Sequence, residues 1–159
     1  MVHNNKGIIK QFDLVIYPID YVVVIGEMEN EVNKNYYPYE EEYKNAHIAP
    51  PSKTGATYRV RERATDIPCV MIWIKEKENC TSSIIAHECG HAILELWSYI
   101  HSEVSLTNQE PFCYTLGNLV RLAVGCFYEL PGITPPAIKS EAFEDKGVKK
   151  LRKSKPKKK

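Results

Sequence analysis

The sequence predicts an α+β fold, on three observations. β-rich runs crowd the first half of the chain. Two long helical stretches, ending at a Pro-Gly pair, fill the second. The segment between them is an almost continuous apolar run of strand length. Strands followed by helices, without regular alternation, is the pattern of this class. The expected architecture is a small mixed or antiparallel sheet packed on two consecutive helices.

Element by element, Phe12-Asp13-Leu14-Val15-Ile16-Tyr17 reads as a strand stopped by Pro18, and Tyr21–Ile25 as a second one ending at Gly26. The two are expected to form a hairpin around Pro18–Asp20. Residues 27–56 are acidic and tyrosine-rich, with a helix expected over Glu29–Asn35 and another around Tyr39–Asn45. Ala49-Pro50-Pro51-Ser52-Lys53-Thr54-Gly55 has the composition of a loop. Thr57–Ala64 alternates, with Arg59, Arg61 and Arg63 on one face and Tyr58, Val60 and Glu62 on the other. Cys69–Ile74 is apolar throughout, as a strand buried on both faces should be. A meander of these strands is the expected sheet. The first long helix starts after the N-cap candidates Thr81, Ser82 and Ser83 and runs to about Ile100; the second spans roughly Gln109–Leu130. Apolar residues cover most of the first helix, so it is expected to lie centrally, with His87, Glu88, His91 and Glu95 as polar groups in an interior.

The chain has 159 residues, 43% hydrophobic and 26% charged, which suits one globular domain. No apolar run approaches the ~20 residues that cross a bilayer, so no membrane association is expected. The amino terminus lacks the pattern of a secretory signal. The expected location is cytoplasmic, that of the host cell if a phage encodes the chain. Cys69, Cys80, Cys89, Cys113 and Cys126 form no CxxC pair. An odd count fits reduced thiols, most of them small buried apolar residues. The net charge of +1 conceals an asymmetry: residues 139–159 carry +7 and the rest −6. The expected division is a domain over 1–138 and a basic, disordered tail over 139–159. Such a tail either solubilises the chain or contacts nucleic acid or an acidic surface.

The chemistry concentrates at His87-Glu88-Cys89-Gly90-His91. On a helix, residues four apart share a face, so the two imidazoles can bind one ion. Glu88, rotated by about 100°, can reach a water on that ion without ligating it. Zinc lowers the pKa of such a water towards ~7, and a carboxylate takes its proton during attack on a carbonyl. Shuffled chains of this composition give roughly 0.015 HExxH matches, so coincidence is a poor account. The competing account is a pair of core histidines bonded to backbone carbonyls.

HECGHAILEL is similar to the HExGHxxL helix of zincin metallopeptidases, and Asn108–Tyr114 resembles the start of a ligand helix with a glutamate near its beginning. Together these resemble the minimal gluzincin arrangement, including ImmA/IrrE-type peptidases and short HExxH proteins of phages and mobile elements. The resemblance spans about residues 57–130. It implies zinc bound by His87, His91 and Glu110, with Glu88 as general base. Trp97 stands where a metzincin needs histidine, which excludes that class. The ATP-dependent membrane proteases share a HEAGHA-like helix, but the chain has no ATPase or membrane segment.

For Glu110 a local role competes: Thr107-Asn108-Gln109-Glu110 fits a capping box. Tyr114, on the helix face of Glu110, is either an oxyanion stabiliser or a core aromatic. Glu95 is a rival ligand, a support behind the ligands or a surface residue, and His101 lines the cleft or simply lies on the surface. His3 and His47 have no partner in sequence. The function expected is a zinc-dependent metallopeptidase cleaving a protein or peptide substrate. The alternatives are a zinc-stabilised binding module without catalysis, or a nucleic-acid-associated protein acting through its tail. The presence of Glu88 favours the enzyme, because a structural site has no use for a base.

Overall fold

A computed structural model describes residues 2–4, 7–52 and 54–133, the side chains of Val2–Asn4 and Glu41 excepted. The basic tail over 139–159, the last residues of the expected 1–138 domain and the His3 side chain lie outside what is described.

Six strands form one mixed sheet: β1 (Val2–Asn4), β2 (Gly7–Phe12), β3 (Asp20–Gly26), β4 (Tyr36–Pro38), β5 (Gly55–Glu62) and β6 (Pro68–Ile74), in the order β1-β2-β3-β6-β5-β4. Three helices accompany it: α1 (Glu29–Asn35), α2 (Ser82–Tyr99) and α3 (Gln109–Tyr128). The α+β class and the mixed sheet are as expected. A simple meander is not what forms. β3 and β6 pair in parallel, with Tyr21 opposite Val70 and Val24 opposite Trp73, while every other pair is antiparallel. The reason is burial. β3 and β6 are the two runs apolar on both faces, so they take the centre, where both faces are covered.

One face of the sheet carries Ile8, Tyr21, Val23, Ile25, Val70, Ile72 and Ile74 against α2 and α3. The opposite face carries Ile9, Val22, Val24, Met71 and Trp73 against α1 and Ile48. Each large aliphatic side chain so buried contributes about 1.5–3 kcal/mol. Trp73 also donates its indole N–H to the Gly26 carbonyl at 3.0 Å, which satisfies the one polar atom that burial would otherwise strand.

Two local expectations fail. The first strand is not Phe12–Tyr17 but Gly7–Phe12, and Asp13–Ile19 is the hairpin loop. Val15 and Ile16 lie exposed despite their β propensity, and Asp13 Oδ1 accepts from Val15 N at 2.7 Å. Ile8 and Ile9 have a core to enter on either face, and that outweighs local preference. The helix expected around Tyr39–Asn45 reduces to a 3-10 turn at Glu41–Tyr43. By contrast α1 spans the predicted residues. α2 begins where expected, its N-cap Thr81 accepting from Ile84 N at 3.3 Å, an interaction worth ~1 kcal/mol.

Among the described residues no helix is long and apolar enough to cross a membrane. Four cysteines are buried and free, and Cys113 is exposed. Burial pushes the Cys69, Cys80 and Cys126 thiols up to about 12 and the Cys89 thiol to about 11. Iodoacetamide at neutral pH should therefore label Cys113 alone in the native protein, and all five only after unfolding. The raised values also link folding to alkali. Stability is full below the thiols' ordinary value of 9.0 and is lost as pH climbs from there towards about 12. A thermal melt series across that window checks it; a flat melting temperature together with labelling of buried thiols would contradict the packing.

Candidate functional site

α2 is not central. Ile85, Glu88, Cys89, Ala92, Ile93, Leu96 and Trp97 are buried, whereas His87, His91 and Leu94 are exposed and Glu95 partly so. The expectation of two interior histidines is thus corrected, and the core-histidine account goes with it. Only one side of α2 meets the sheet, because α3 and β5 cover a single stripe of it and leave the His87–His91–Leu94 stripe to solvent.

The exposed stripe nevertheless brings the two imidazoles together. His87 Nε2 and His91 Nε2 are 3.2 Å apart, with the rings edge to face at 83°. Two nitrogens each ~2.0–2.1 Å from one tetrahedral ion stand about 3.3–3.4 Å apart, so the pair fits two positions of a zinc site. Among the described residues no third His, Cys, Asp or Glu completes a group of three.

Glu88 is the buried charged residue of the described fold, 6% exposed. It turns from the histidine stripe towards β5. There the Thr57 hydroxyl lies 3.0 Å from Glu88 Oε2 and 3.1 Å from the Glu88 carbonyl oxygen, donating between them. Gly55 lies directly against the carboxylate: a Cβ at this position would sit 3.0 Å from Oε1. The glycine is required here for close approach, not for backbone conformation. Burial first, and then the Glu88 charge, raise the Tyr58 hydroxyl above its ordinary range. A pocket of about 320 Å³ opens over this arrangement, lined by Thr54, Gly55, Ser83, Ile84, His87 and Glu88.

The remaining candidates scatter. Glu110 is exposed in the first turn of α3. Trp97 packs edge to face on Phe112, ring centres 5.4 Å apart, so α3 begins beside the carboxyl end of α2. About 9 Å of helix axis separates Trp97 from His91, and Glu110 is not brought into the histidine pair. No capping box forms: the N-cap is Asn108, without a side-chain cap bond, its Oδ1 accepting instead from Ser105 N at 2.7 Å. Tyr114 is 76% exposed and is not a core aromatic. Glu95 forms an ion pair with Arg59 of β5, whose guanidinium also donates to Ser98 Oγ at 3.2 Å. His101 lines a separate cavity with Tyr39 and Arg59, and His47 lines another, beside Tyr58 of β5.

Thr57 and Gly55 are site residues that the sequence reading did not single out. The alternation that groups Arg59, Arg61 and Arg63 also places Thr57 on their face, but nothing in the chain says that this face meets Glu88.

β5 contributes a further feature. β4 pairs with it only over Val60–Glu62, and Tyr39 N donates to Arg59 O at 3.2 Å. Main-chain polar groups alternate sides along a strand, so Thr57 and Gly55 direct theirs outward as Arg59 does. Among the described residues no strand pairs with that stretch. Comparison with protein-family models, with curated proteins and with solved structures finds no match, so the site rests on its own geometry.

Proposed function

We propose that the chain is a zinc-dependent hydrolase of the zincin type, cleaving peptide bonds in extended polypeptide. The observation that carries this reading is that His87 and Glu88 line one pocket while the Nε2 atoms of His87 and His91 converge to 3.2 Å. In this reading His87 and His91 would hold the ion, and Glu110 of α3 would be its third ligand once the start of that helix moves towards them. An ion held there would supply Lewis acidity towards a water and a carbonyl, a zinc-held water having a pKa of ~7.

The rest is done by the chain's own groups. Glu88 takes the proton of the attacking water and returns it to the leaving amine. The Thr57 hydroxyl occupies Oε2, which leaves Oε1, on the Gly55 side, for the water. The outer edge of β5 gives an extended peptide main-chain partners at Thr57 and Gly55, in the strand-addition mode of recognition. Neighbouring strands run ≈ 4.7–4.9 Å apart, so a peptide paired there lies beside Glu88.

A binding module stabilised by zinc is the weaker reading, since structural zinc sites are closed by four protein ligands and this histidine pair is open beside a pocket. The test is metal content. Purified protein should hold about one zinc, and chelation should lower its melting temperature. Protein that contains no zinc, and melts identically with and without it, overturns the proposal.

A further inference from the structure

On the opposite face of β5 from Glu88 lies a second, larger cavity of about 590 Å³. Its walls are mainly apolar, formed by Ile48, Ala49, Pro50, Ala56, Tyr58 and Val60, with His47, Ser52 and Arg59 as the polar members. Gly55 lines this cavity and the Glu88 pocket alike, so the two meet at the strand edge. The outer wall is a segment without helix or strand, yet it is held firmly. Asn33 donates from Nδ2 to the Ile48 carbonyl at 3.0 Å and accepts from Ile48 N at 2.6 Å. Tyr58 donates its hydroxyl to the Ala49 carbonyl at 3.0 Å, joining that wall to β5. Ile48 is 4% exposed. The cavity is therefore built before any ligand arrives, and preformed sites lose least affinity to ordering.

We propose that this cavity is a side-chain subsite selecting peptides with a large apolar residue, aromatic or leucine-like, adjacent to the one presented to Glu88. The inference rests on the peptide reading of the β5 edge. Successive side chains of a strand point to opposite faces. A peptide paired to Gly55 and Thr57 that presents one residue on the α2 face must present its neighbours on the cavity face. A small neighbour gains little from those walls, which are mainly apolar. A phenylalanine-sized side chain removes its surface from water against the prolines, Ala56 and Tyr58.

The test uses the full chain and two short fluorescein-labelled peptides, one with phenylalanine and one with alanine at the neighbouring position, with anisotropy and turnover measured separately. The phenylalanine peptide should bind about 10- to 100-fold more tightly, the range expected for burying one such side chain. Ala56→Trp, which fills the cavity from the strand, should reduce its affinity to that of the alanine peptide. Ala49→Trp fills it from the exposed loop and gives the same result if the strand variant does not fold. Equal binding of both peptides to the parent, binding of neither, or phenylalanine preference surviving in the filled variants overturns the subsite. Selective binding lost on filling, but without hydrolysis of either peptide, upholds the subsite and overturns the hydrolase. Hydrolysis indifferent to the neighbouring residue does the reverse.

Discussion

Glu88→Gln is expected to lower peptide hydrolysis by about 10²- to 10⁴-fold, the usual contribution of a positioned general base, while the protein stays folded and keeps its zinc. The substitution conserves shape, so the packing against Gly55 survives, and an amide oxygen can still accept from Thr57. What it removes is the capacity to take a proton. Glu88 faces β5 and not the histidine stripe, so zinc content should not change. Thermal melts, metal analysis and steady-state kinetics on parent and variant decide it. Loss of zinc would make Glu88 a ligand, and unchanged turnover would remove it from the mechanism.

Glu110→Ala should reduce zinc affinity by orders of magnitude, with Glu95→Ala close to the parent. The local competitor for Glu110 is gone, since α3 is capped by Asn108 without a side-chain bond. Losing a capping interaction would in any case cost only ~1 kcal/mol, whereas losing a metal ligand removes a share of a binding energy of roughly 10–16 kcal/mol. Glu95 is already engaged by Arg59, and an exposed pair of this kind is worth ≈ 0–1 kcal/mol. The expected order of zinc affinity is therefore parent, then Glu95→Ala, then Glu110→Ala far below. Binding requires the first turn of α3 to approach His91, from which the Trp97–Phe112 contact now holds it along the axis. Zinc added to the metal-free chain should accordingly slow amide exchange in residues 101–112. Parent-like affinity in Glu110→Ala, without that protection, would leave the ion to the two histidines and a ligand from elsewhere.

Much of the frame was legible in the chain itself, for physical reasons that are local. Cys69–Ile74 is apolar throughout because both faces of its strand are covered, and that pattern needs no tertiary knowledge to read. The two long helices announce themselves by their apolar patterning and, for α2, by the cap Thr81. The His87–His91 pairing is equally local, since one helical turn dictates it.

What only the tertiary structure decided depends on neighbours distant in sequence. Whether Gly7–Phe12 or Phe12–Tyr17 enters the sheet is settled by which run finds a core on both faces, not by propensity. The parallel pairing of β3 with β6 follows from burial of both, though 41 residues lie between Gly26 and Pro68. The apolar coverage of α2 suggested interior histidines, yet only the stripe that meets the sheet and α3 is buried. Sequence set the helical spacing of His87, Glu88 and His91. The packing of α2 on β5 decided that the histidines face solvent while the glutamate turns inward to Thr57 and Gly55, because a helix side chain's environment is chosen by whatever element lies against it.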